Sequence, residues 1–270
     1  MNRPQPPRKI GATQGWHWFV SALDLVRRQP ATFLCMGLFV ACVDSLLPYI
    51  GPLAVLIMGP AFLAGMCVAA NTIARQQPPA FAQVFALLAQ PGRRGEALKL
   101  CIPLVLGKFA AAMILGVALT NQLARKGIDV ATLQGQRDKL MTLLISEAMV
   151  PWFVVALVVV VFTWTFTALA IPRVAFSREP AFTAMGESFR LVWRHIPAWF
   201  VAGLALCVCV VAVGMVLLLT RFMLLVQVGF FTTLYTVLGP MLYIAWRDLG
   251  GHPPSGDPDQ PPPPSGVLEA

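Results

Sequence analysis

Two ionisable side chains, Asp44 and Lys108, stand inside otherwise apolar runs. A charge at mid-bilayer costs at least ~2.5–3.5 kcal/mol on insertion scales, so such groups face the protein interior, pair with one another or mark a pathway. The sequence leaves two readings of Asp44 and Lys108: an intramembrane charge pair, or two separate side chains that snorkel towards water. Span 1 enters at residue 31 and span 3 at residue 100. At ~1.5 Å of rise per residue Asp44 then lies ~20 Å deep and Lys108 ~12 Å. That ~8 Å offset is near the limit of what a lysine stem can bridge.

Other positions carry backbone chemistry. Gly59-Pro60 and Gly239-Pro240 each fall inside an apolar run. Proline gives no N–H to the preceding turn, so each dipeptide frees a carbonyl, which either lines a cavity or allows a kink with close packing. Arg27 precedes Pro30 and Arg194 precedes Pro197 at the ends of two amphipathic segments. Both arginines are placed to contact lipid phosphate or to cap the elbow. The sequence contains no HExxH, GxSxG, GxxxxGK[ST], dinucleotide fingerprint or EF-hand pattern, and its acidic residues are scattered without paired spacing. The expectation is no catalytic residue, no cofactor, no metal site and no enzyme. Cys207 and Cys209 are two apart in one span and point to different helix faces, which excludes a local metal clip.

What must hold these residues is a bilayer. Of the 270 residues, 57% are hydrophobic and 12% charged, about half the charge of an ordinary soluble chain. From Ile196 to Trp246 the only charged side chain is Arg221. About 20 apolar residues cross a ~30 Å hydrocarbon core, so this run predicts two spans with Arg221 at the turn. Backbone groups in lipid are satisfied within helices, which predicts an all-α polytopic bundle. Six spans are expected, at about 31–47, 53–72, 100–120, 148–172, 197–220 and 222–246. Three amphipathic helices, about 14–28, 78–90 and 180–195, are expected to lie on the cytoplasmic interface.

In the first of these helices Trp16, Phe19, Val20, Leu23 and Val26 share one face, with Trp16 and Trp18 at headgroup level. In the third, Phe182, Met185, Phe189, Val192 and Trp193 do so. The membrane domain thus covers 14–249. Before it lies a disordered basic tail, 1–13, and after it a tail, 250–270, with seven prolines. A further surface helix is expected in the 121–147 loop, around Leu133, Leu140 and Leu144.

Net charge is +8. Arg3, Arg8, Lys9, Arg27, Arg28, Arg75, Arg93, Arg94, Lys99, Arg173, Arg178, Arg190, Arg194 and Arg247 fall on the side of the termini. Arg125, Lys126, Arg137, Lys139 and Arg221 fall on the other. The positive-inside rule then places both termini in the cytoplasm of a bacterial inner-membrane protein. The partners this implies are the bilayer and its anionic headgroups, with a membrane-protein partner or a second copy also open, and not nucleic acid.

Arg27-x-x-Pro30-x-x-Phe33 recurs as Arg194-x-x-Pro197-x-x-Phe200, and the Gly-Pro dipeptide recurs in the second span after each. The pattern predicts a parallel internal repeat of interfacial helix, proline elbow and two-span hairpin. Through Arg27, Pro30 and Phe33, and the segment from Pro172 through Pro180-Ala181 to Ser188 and Arg194, the chain resembles poorly characterised bacterial six-span inner-membrane families. These look related to the membrane domain fused to some glycerophosphodiester phosphodiesterases. The resemblance implies fold and location, and no activity. Two functions stay open: a non-enzymatic lipid-contacting or partner-binding module of the envelope, and a small transporter or channel using Asp44 and Lys108. A water-accessible cavity reaching both charges would favour transport. A closed bundle with the charges at its interfaces would favour the module.

Overall fold

The computed structural model describes residues 11–46, 51–127 and 146–251. All regular structure among them is helical. Helix α1 is Ala12–Arg28, α2 Pro30–Leu46 and α3 Gly51–Ala74. After a 3-10 turn at Phe81–Phe85 come the short α4, Ala86–Ala89, and α5, Arg94–Lys99. Helix α6 is Ile102–Arg125, α7 Val150–Thr167, α8 Ala170–Phe176, α9 Ala181–Arg194, α10 Ile196–Leu218 and α11 Met223–Asp248. The Ile196–Trp246 run is the expected two-helix hairpin. Its turn carries Arg221 in the left-handed region, at φ 60°.

Among the described residues five segments are long and apolar enough to cross a membrane: Ala54–Ala74, Pro91–Arg125, Glu147–Phe176, Ile196–Leu218 and Met223–Asp248. Helix α2 is apolar but has 17 residues. Large apolar side chains point outward along three of the five. Leu106, Phe109, Met113 and Val117 recur every three or four residues on α6, and Phe200, Leu204, Val208, Val211 and Met215 do so on α10. Helix α7 presents Val154, Leu157, Val158 and Val161. In water these stripes would be a large unfavourable exposure; against lipid tails they carry no such cost.

The organising helix is α11. Every residue from Thr236 to Trp246 is buried, and the helix packs on α1, α2, α3, α8 and α10. Small residues set the approach. A Cβ on Gly37 would collide with the Thr236 hydroxyl and the Thr232 carbonyl, so α2 lies close on α11. The Thr236 hydroxyl donates to the Phe33 carbonyl at 3.2 Å, and the Tyr243 hydroxyl to Asn71 Oδ1 at 3.1 Å. The α6–α7 hairpin is peripheral: the two pack mainly on each other, and a Cβ on Gly107 would run into the Thr163 side chain.

The elements that deviate from the sequence reading do so for local reasons. In α1 the buried stripe is Gly15, Trp18, Phe19, Ala22 and Leu25. Trp18 is therefore buried in the protein core; its Nε1–H donates to Asp248 Oδ2 at 3.1 Å, while Trp16 stays exposed. In α9 the buried stripe is Ala181, Ala184, Met185, Ser188 and Val192, and Phe182 and Trp193 face outward. On each packed face small residues (Gly15 and Ala22; Ala181, Ala184 and Ser188) alternate with larger ones such as Trp18 and Met185. Residues 78–90 form no continuous amphipathic helix. Phe81 and Phe85 instead join Phe39 and Phe62 in an edge-to-face cluster with centroids 5.4–6.3 Å apart.

Span 4 is broken between Thr167 and Ala170. Ser188 stitches the break, accepting from Leu169 N–H at 3.0 Å and donating to the Thr165 carbonyl at 2.8 Å. The expected surface helix around Leu133, Leu140 and Leu144, and nearly all of both tails, lie outside the described residues.

Candidate functional site

Helices α3, α6, α7, α10 and α11 line a half-open cavity of about 310 Å³. Its wall is Leu, Val and Trp side chains, interrupted by Lys108, Thr163 and Tyr235. Gly107 brings α6 against Thr163 of α7, and the next residue, Lys108, reaches the cavity from that seam. The Thr163 hydroxyl is spent on its own helix, donating to the Val160 carbonyl at 2.9 Å. On the α3 side Leu56, Gly59 and Pro60 line the space. Pro60 lacks the N–H that would bond the carbonyl four residues back, so the Leu56 carbonyl loses its usual helical donor where α3 borders the void.

Asp44 is half-buried on α2 and does not line the cavity. No ion pair within 4.0 Å joins it to Lys108. Lys108 and Tyr235 thus share one wall, and Asp44 lies outside it. The sequence reading missed Tyr235. It is one of three tyrosines in the chain, and a phenol within an apolar span was the available signal.

The second Gly-Pro pair is elsewhere. Gly239 and Pro240 are buried in the core, where a Cβ on Gly239 would sit 2.5 Å from the Met66 Cβ. The Gly239 carbonyl accepts the Cys67 thiol at 3.3 Å. Cys67 is one of six cysteines, all free.

The proline elbows have matching backbones. A single residue, Gln29 or His195, separates the two helices at each, and Pro30 and Pro197 stand in the first turn of α2 and α10. Their phenylalanines differ, because Phe33 is fully buried while Phe200 is 69% exposed. Arg27 and Arg194 are exposed, and neither has a hydrogen bond or ion pair with a described residue. His195 Nδ1 is buried without a partner. That burial, with Arg194 beside it, holds the imidazole below its ordinary pKa. Among the described residues no three His, Cys, Asp or Glu side chains gather into a metal-binding group.

No family model matches the sequence, and neither a curated protein nor a solved structure is found to be similar to it.

Proposed function

We propose that the chain crosses the bacterial inner membrane six times with both termini in the cytoplasm, and works there without catalysis as a lipid-contacting or partner-binding module of the envelope. Support for α2 as the sixth crossing is its length. Seventeen residues rise ~25 Å, at the short end of what spans a bilayer. Its register against α11 also argues for it, since α2 packs along that spanning helix. The bias of Lys and Arg orients the bundle. The matching elbows support a parallel repeat, with α1 and α9 as the cytoplasmic interfacial helices, and with it the likeness to six-span inner-membrane families.

The observation that carries the functional reading is the pair of elbow arginines. Arg27 and Arg194 are exposed at equivalent bends and committed to no described protein group, which suits a headgroup phosphate. The test is purification from membranes with lipid and protein identification. Arg27→Gln with Arg194→Gln is expected to lower copurified anionic lipid severalfold at unchanged yield. An unchanged lipid complement, with no protein partner captured by the wild type alone, would overturn the reading.

A second reading has its own observation. The cavity pairs one cation, Lys108, with an apolar wall, which suits an anionic amphiphile rather than a hydrated ion. It is the form a transport function would take. Uptake or efflux of an anionic detergent-like probe, unaffected in Lys108→Gln, would end it.

A further inference from the structure

A second concavity, of about 510 Å³, lies outside the apolar cavity. Its walls are the turn joining α4 to α5, the end of α8 and the link from α8 to α9. Four charged side chains face it: Arg93, Glu96, Arg178 and Glu179.

The two acids are already committed. Glu96 Oε1 accepts from Lys99 Nζ at 2.6 Å and its Oε2 from the Ala181 backbone N–H at 2.6 Å, at the start of α9. Glu179 Oε2 accepts from Arg173 Nη1 at 3.1 Å. Each carboxylate thus carries its own cation, Lys99 or Arg173, and the two pairs cancel. The two arginines lining the cleft are left over. Arg93 places Nη1 on the Ala175 carbonyl at 2.8 Å, at the C-terminus of α8, which fixes its guanidinium at the rim. Arg178 makes no hydrogen bond or ion pair with a described residue, and its charge acts unfavourably on Arg93. It also holds φ at 55°, a backbone region that arginine adopts only at a cost. Two like charges therefore line one cleft, one of them on a strained backbone, and the two carboxylates in its wall are already paired with Lys99 and Arg173.

We propose that this cleft binds a phosphate-bearing anion held between the guanidiniums of Arg93 and Arg178. Phosphate fits better than carboxylate, because two planar guanidinium forks need more than one pair of acceptor oxygens, and a tetrahedral phosphate supplies them. Two sources share that chemistry: the headgroup of an anionic phospholipid and a free phosphate. The lipid source rests on the topology proposed above, which sets the α8–α9 link at cytoplasmic headgroup height. The free anion does not.

The experiment uses the full chain in a non-ionic detergent and in phosphatidylcholine nanodiscs with and without phosphatidylglycerol. Inorganic phosphate is titrated against chloride at equal ionic strength, with thermal midpoint and calorimetric heat as readouts. Bound phosphatidylglycerol is counted by native mass spectrometry. The variants are Arg178→Asn and Arg178→Gly, both of which tolerate a positive φ, and Arg178→Lys.

The inference expects a phosphate-specific rise in the midpoint of the wild type. It expects an affinity at least tenfold weaker in the Asn and Gly variants with their ligand-free midpoints kept, and an intermediate affinity in the Lys variant. Phosphatidylglycerol that blocks the phosphate response identifies the lipid as the source; a response indifferent to the lipid identifies the free anion. A wild type that answers phosphate no more than chloride while binding no phosphatidylglycerol would overturn the inference. So would Asn and Gly variants that bind both as the wild type does. Either failure leaves the lipid contact of Arg27 and Arg194 standing, since that is read from the elbow variants.

Discussion

The same dipeptide does opposite work in two halves of the bundle. Gly59-Pro60 on α3 borders a void, and a Cβ on Gly59 would meet only the Val55 side chain, at 3.7 Å. Gly239-Pro240 on α11 is closed over by Met66, and its carbonyl takes the Cys67 thiol. Both prolines remove a helical hydrogen bond. In α11 the loosened turn lets a neighbour in; in α3 it leaves space beside a lysine. A motif that repeats in sequence thus fixes where a helix can yield, while its neighbours decide whether the yield is packed or hollow.

The largest expected difference is steric. Gly239→Ala should destabilise the purified protein by about 1–3 kcal/mol through overpacking against Met66. Gly59→Ala should change stability by less than about 1 kcal/mol, the scale of a glycine-to-alanine change in a helix. Met66→Ala combined with Gly239→Ala should destabilise by less than the sum of the two single changes, a non-additivity of about 0.5–3 kcal/mol as expected for residues in contact. Thermal or denaturant unfolding in detergent reads all three. Equal losses at the two glycines would erase the contrast.

A smaller effect belongs to the charges near the hollow side. A double-mutant cycle with Asp44→Asn and Lys108→Gln should give a coupling of about 1 kcal/mol or less, because no direct ion pair joins them. A coupling of several kcal/mol would mean that the two side chains meet in the membrane.

The smallest is a pH effect at the second elbow. His195 is held below its ordinary pKa in the folded protein, so the unfolded chain takes up the proton first. Its contribution to stability is fully present above the ordinary histidine value of 6.5 and is lost as pH falls through the lowered folded value. Between pH 7.5 and 5 the wild type should lose more stability than His195→Gln. Parallel curves would remove His195 as the source.

How much of this was legible in the sequence follows from what each signal measures. Apolar length fixed the hairpin about Arg221, because a bilayer leaves the backbone few alternatives. Helical period found α1 and α9 and an apolar face on each, but not which side chains of that face pack against the bundle. Trp16 and Phe182 stay exposed, whereas the buried positions include small residues such as Gly15 and Ala184, which period alone does not single out. Gly15, for one, abuts the Ala198 carbonyl so closely that any Cβ would collide. Tyr235 was hidden for a related reason: its place on one wall with Lys108 depends on helices far apart in the chain. The arginine cleft brings residue 93 to residue 178, a pairing that no local spacing encodes.

The central claim is that α2 crosses the bilayer, making six crossings with both ends inside. Reporter fusions before Ala12, after Arg75 and after Gly250, scored for cytoplasmic or periplasmic activity in intact cells, test it most directly. All three are expected to report the cytoplasm. An N-terminal reporter in the periplasm with the Arg75 reporter in the cytoplasm would mean that α2 turns back without crossing, and would contradict the account.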